Sequence, residues 1–223
     1  MLNKDTIPRV IPFAIYILFL VAGETIVQFF NDYSIDIKWM YITKITCVVV
    51  ALYYFWRRYD ELCTKPPAED FIYAAVAGLI VFVIWIFPYP SWLASGKEVA
   101  GINPMLDQMT LQNIVWMSVR ILGATLVVSV MEELFWRSFI MRWFDNKYFL
   151  AVDPGKITAF AYIGSACLFA LEHHLWLAGL FAGLVYGELY KTYKNIWIPI
   201  FAHAVTNGLL GVWVVLTGNW QYW

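Results

Sequence analysis

Seven stretches of this chain are nearly unbroken runs of about 16 to 23 apolar residues, close to the roughly 20 that a helix needs to cross a bilayer core. In hydrocarbon every backbone N–H and C=O must be bonded within its own segment or barrel, so runs of this length fold as helices. Composition agrees: 61% of the 223 residues are hydrophobic and only 14% are charged, against roughly 25% charged in soluble domains. The expected fold is all-α, a polytopic transmembrane helical bundle of about 7 to 8 membrane helices. Residues 1–223 are expected to form one integral-membrane domain. The spans are placed near residues 8–30, 39–56, 70–88, 112–134, 157–172, 175–190 and 196–216.

Flanking charge orients the bundle. Lys4, Arg9, Arg57, Arg58, Lys65, Arg142, Lys147, Lys156, Lys191 and Lys194 fall on one side, while only Lys38 and Lys97 fall clearly on the other. Short loops rich in lysine and arginine stay inside, so the amino terminus is expected in the cytoplasm. The first run is too long for a signal-peptide core and reads as an uncleaved helix. Residues 219–223 read as an interfacial anchor on the far side, residues 88–111 as a loop against the headgroups, and residues 138–150 as an interfacial continuation of the preceding helix. Cys47, Cys63 and Cys167 suggest neither a disulfide framework nor a metal site. The net charge of −1, with no basic face and no Gly-rich phosphate loop, gives no sign of a nucleic-acid partner; the lipid bilayer is the partner that composition establishes.

Against this background the polar residues are informative, because an ionised group kept in hydrocarbon marks a functional site by default. Glu132 and Glu133 lie at the end of the fourth run, and Arg137 just beyond it. Adjacent residues of a helix point about 100° apart, so the two glutamates cannot both face one substrate. Glu133 stands four residues before Arg137, the favourable order for a helical ion pair. Glu132 is left to face the bundle interior as a general base. A solvated helix end is the plainer alternative. His203 and Asn207 share a face of the last span, and Phe169 and His173 repeat that spacing. A lone histidine on an apolar helix is more often a packing residue than a ligand. Here three helices together offer polar groups that can satisfy one another around water.

Weaker candidates surround these. Glu24 and Arg120 are expected to pair with each other or with backbone, and Glu188 with Lys191 or Lys194. Glu172 and His174 flank the favoured histidine as supports or alternates. One conflict stands out: full crossings by the fifth and sixth spans would carry His173 to the face opposite Glu132. Either a hairpin tip sunk within the membrane or a helix starting below its surface would remove it.

These motifs resemble the CPBP family of intramembrane proteases, which contains type II CAAX prenyl endopeptidases and bacteriocin-processing or self-immunity proteins. The family pattern EExxxR is matched by Glu132, Glu133 and Arg137, FxxxH by Phe169 and His173, and HxxxN by His203 and Asn207. The three occur in the family's order over a motif-bearing core of about 112–216. Trp136 and Ser138 stand where many members carry phenylalanine and glycine. The small chain also resembles the CAAX-protease-like proteins of bacteria that use exosortase-type sorting.

The resemblance implies an intramembrane endopeptidase acting on a membrane-anchored protein or peptide substrate, prenylated or bearing a sorting signal. It implies that Glu132 activates water with Glu133 and Arg137 as supports. His173 and His203 would position the water or stabilise the intermediate, and Asn207 would donate to the oxyanion. No cofactor is favoured; zinc on Glu132, His173 and His203 is the alternative, a plausible set with a free fourth position. Other classes carry the same residues: a proton-coupled transporter, a bis-histidine haem protein using His173 and His203, or a catalytically silent immunity or scaffold protein.

Overall fold

The computed structural model describes residues 4–29, 37–90 and 110–222, with backbone alone for residues 24–29, 37 and 38. Among these residues the chain forms seven helices and no strand, an all-α bundle as its apolar runs dictate. They are α1 (Thr6–Phe29), α2 (Ile37–Tyr54), α3 (Asp70–Trp85), α4 (Leu111–Trp143), α5 (Ala159–Leu171), α6 (Trp176–Tyr193) and α7 (Trp197–Thr217). The segments Thr6–Gly23, α4 and α7 are long and apolar enough to cross a membrane. The expected loop at 88–111 falls largely outside the described residues, as do the side chain of Glu24 and hence its expected pairing.

Helix α4 departs most from expectation. Instead of stopping near residue 134 it runs through 33 residues to Trp143, about 50 Å at the ordinary helical rise. Two π-helical segments, Gly123–Val128 and Leu134–Ile140, flank the short α-helical stretch Ser129–Glu133. Such widened turns are rare and concentrate at functional sites. Here they bracket the two glutamates.

The continuation beyond residue 134 is helical to Trp143 and packs partly into the bundle. Phe139, Met141 and Arg142 are buried. Arg142 donates to the carbonyls of Leu150 and Val152 at 2.8 and 3.0 Å, which folds the following loop back onto the bundle. The neighbouring loops are tied into the same layer. Arg9 binds both oxygens of Glu61, Ser138 donates to that carboxylate, Asn195 donates to the Thr64 carbonyl, and Lys194 pairs with Asp153. A charged group buried this deeply needs several partners, and Arg9 has them. This basic end of the bundle is therefore closed by its own polar network.

The α5–α6 hairpin resolves the conflict over His173. Helix α5 has only 13 residues, about 20 Å, well short of the roughly 30 Å core. At its tip, the Trp136 indole N–H donates to Glu172 at 3.0 Å. Trp136 is one turn from Glu132, so the tip lies at the level of the glutamates. Small residues permit the close helix approaches that membrane packing favours. A side chain at Gly183 would strike the backbone of Ala166 across this hairpin at 3.0 Å. At the carboxyl-terminal end Trp220 is buried with Trp116, Met117 and Val214.

Candidate active site

The two π segments and the α-helical stretch between them turn Glu132 and Glu133 to different neighbours. Glu133 is completely buried. Its Oε2 lies 3.2 Å from the Arg137 Nε, the ion pair expected from their spacing. Its Oε1 lies 2.9 Å from the His203 Nδ1, a second bond that sequence spacing did not suggest. Arg137 also donates to the Gly183 carbonyl at 3.3 Å, and its guanidinium stands 4.5 Å from the Phe169 ring centroid. The EExxxR and FxxxH motifs thus meet through a cation on an aromatic face.

A carboxylate at Nδ1 makes that nitrogen the N–H donor, so the neutral ring offers its Nε2 lone pair on the opposite side. That Nε2 lies 3.9 Å from Oε2 of Glu132, too far for a direct hydrogen bond. A water off the line between them could bond to both at about 2.8 Å. Among the described residues Oε2 of Glu132 has no hydrogen-bond partner although it is buried. Stacking fixes the ring as well: Tyr186 lies against His203 at 4.9 Å between centroids, and its hydroxyl donates to Thr206 at 2.7 Å.

His173 is held by the residue one turn below it. Its Nδ1 lies 2.7 Å from the Phe169 carbonyl, and its ring is 4.5 Å from the Phe169 ring and edge-on to Trp85. The carbonyl fixes Nδ1 as the donor, so again Nε2 is the free nitrogen. Asn207 is placed differently from expectation. Its amide nitrogen donates to the Ala124 carbonyl at 3.0 Å and to Ser129 at 3.4 Å. One N–H of the amide expected to serve an oxyanion is thus engaged by the Ala124 carbonyl, in the π segment Gly123–Val128.

Glu132, His173, His203 and Asn207 line one cavity of about 280 Å³. Glu133 and Arg137 lie behind that wall and contact it through His203 and Phe169. The cavity runs away from the basic loops. Beyond the site its lining includes Leu20, Tyr41, Trp85, Arg120, Leu210 and Tyr222, residues at the end of the bundle opposite the basic loops. The Arg9–Glu61 network lies at the other end, in the layer of the basic loops.

Of the weaker candidates, Glu172 binds Trp136, and Glu188 pairs with Lys191 at 3.4 Å while remaining exposed. Arg120 lines the cavity and stands over the Tyr41 ring. Among the described residues no group of three His, Cys, Asp or Glu is arranged to hold a metal ion. Glu132, His173 and His203 therefore do not fit a three-ligand zinc site in this geometry. Sequence reasoning missed Tyr186, Thr206 and Lys44. Only the last carried a signal, a lone lysine inside an apolar run.

Residues 114–209 match the family model described as type II CAAX prenyl endopeptidase, Rce1-like. No curated protein and no solved structure matches the chain.

Proposed function

Starting from residues 114–209, which assign the chain to the CAAX-type intramembrane protease family, we propose that it hydrolyses a peptide bond of a membrane-anchored substrate with a water activated by Glu132. The observation that carries this reading is the unbonded Glu132 oxygen facing the acceptor nitrogen of an imidazole whose other nitrogen is held by a carboxylate.

In this reading a water held between Glu132 and His203 gives a proton to Glu132 as its oxygen attacks the scissile carbonyl carbon. The C–N bond then breaks and Glu132 returns the proton to the leaving amine. General-base assistance of this kind contributes about 10²- to 10⁴-fold. Glu133 keeps the His203 ring in the tautomer that accepts from the water. The two hydrogens of that water are taken by Glu132 and His203, so the Nε2 of His173 is left to accept from a substrate N–H. Asn207 supports the oxyanion through the N–H that Ser129 holds only at 3.4 Å. The mechanism is metal-free as drawn.

Purified protein in liposomes should cleave a farnesylated CAAX-type peptide at a single bond, and the active preparation should contain no stoichiometric zinc. One zinc per chain, lost together with activity on chelation and restored with it, would replace this water-activation scheme by a metal-based one.

A further inference from the structure

The residues of α4 that line the cavity are Arg120, Ala124, Val128 and Glu132. None lies beyond Glu132 toward the basic loops. Arg120 is twelve residues from Glu132 on the other side, about 18 Å at the ordinary helical rise. The remaining helices give the same direction. On α7 the lining starts at His203, six residues in from the basic end of the helix, and extends to Gly211. Trp85 is the last residue of α3, fifteen residues from Asp70, about 22 Å away. Tyr41 on α2 is thirteen residues from the basic end of that helix at Tyr54, about 20 Å. Helices of both directions therefore agree that the cavity leads from Glu132 toward the end that carries Tyr222.

The other end is filled with side chains. Arg9, Tyr59, Met141, Phe149 and Ile196 are each at most 1% exposed. The Arg9 guanidinium holds both oxygens of Glu61 and stands 5.6 and 5.3 Å from the ring centroids of Tyr59 and Phe149. A layer packed in this way has few voids larger than a water. A peptide approaching Glu132 from the basic loops would have to displace it, whereas one arriving past Leu210 and Tyr222 would follow the cavity. Leu20, Tyr41, Trp85 and Tyr222 line this route and lie outside residues 114–209. The direction of approach is thus set partly by segments that the family match does not cover.

The distribution of lysine and arginine leads to the expectation that the basic loops lie in the cytoplasm. We propose that the substrate reaches Glu132 from the opposite, non-cytoplasmic face, and that the substrates are membrane-anchored proteins whose cleaved segment has been exported across the membrane. The proposal rests on the protease reading and adds the side on which the substrate is presented.

The test uses sealed vesicles, right side out and inside out, from cells producing the full-length protein. A farnesylated CAAX-type peptide with a charged, fluorescence-quenched sequence is added outside them. Cleavage should occur in right-side-out vesicles and be lost in inside-out vesicles until detergent opens them. Cleavage in intact inside-out vesicles overturns the proposal and keeps the protease reading. A second measurement needs no turnover. Val128→Cys, in a chain lacking Cys47, Cys63 and Cys167, places a thiol on the cavity wall four residues from Glu132. An anionic, impermeant methanethiosulfonate should modify it in right-side-out vesicles and leave it unmodified in inside-out ones. Modification from the inside-out side, or from neither side, overturns the proposal. Modification from the outside, with no cleavage of the peptide even in detergent, supports the route and counts against the protease reading instead.

Discussion

The Nδ1 nitrogen of His203 lies 2.9 Å from Oε1 of Glu133, and that bond determines what the other side of the ring can do. With Nδ1 as the donor, Nε2 faces the cavity and Glu132 as an acceptor. In the proposed mechanism the adjacent glutamates take separate tasks, one orienting the imidazole and the other addressing the water.

Glu133→Gln should therefore cost more than loss of the Arg137 pair alone. An amide at this position can donate to Nδ1, which would favour the wrong tautomer. In a serine protease triad the equivalent change lowers kcat about 10⁴-fold. A fall in kcat of roughly 10²- to 10⁴-fold with little change in KM is expected. Activity within a few-fold of wild type would leave Glu133 a purely structural partner of Arg137.

Arg137 should matter most for stability. Its removal leaves Glu133 buried without its ion partner, a loss of about 3 to 5 kcal/mol for a buried pair. Unfolding of Arg137→Gln in detergent should show that destabilisation, and adding Glu133→Gln should recover part of it, because the stranded charge is gone. Strict additivity of the two substitutions would refute the pairing.

Much of this was legible in the sequence. Seven helices followed from the apolar runs, and the Glu133–Arg137 pair followed from i,i+4 spacing. The convergence of Glu132, His173, His203 and Asn207 required only that the hairpin tip be sunk. What the spacing could not show were effects of irregular backbone and of contacts between distant helices. The Ala124 carbonyl, in the first π segment, accepts from Asn207 on a helix eighty-three residues away, which spacing along one helix does not predict. The His203–Glu133 bond joins residues seventy apart. The closure of the basic end depends on Arg9 meeting Glu61 across two helices. Lys44 was the avoidable omission, since a lysine inside a span is expensive wherever it points.

The lining of the cavity makes a prediction about sidedness. The distribution of lysine and arginine leads to the expectation that the basic loops lie in the cytoplasm, and the cavity extends toward the other end of the bundle. A cysteine introduced as Leu210→Cys, in a chain lacking Cys47 and Cys167, should react with a membrane-impermeant maleimide from the outside of intact cells. The native, exposed Cys63, in the basic layer, should react only after permeabilisation. Labelling of both from the same side would contradict this placement.

The most direct measurement is the single-turnover rate of Glu132→Gln on a substrate that the wild-type protein cleaves, in parallel with its unfolding temperature. The amide is nearly isosteric with the carboxylate but cannot take a proton from water. The account predicts a rate lower by at least about 100-fold in a protein that inserts and unfolds like the wild type. A rate within a few-fold of wild type would contradict the assignment of Glu132 as the base.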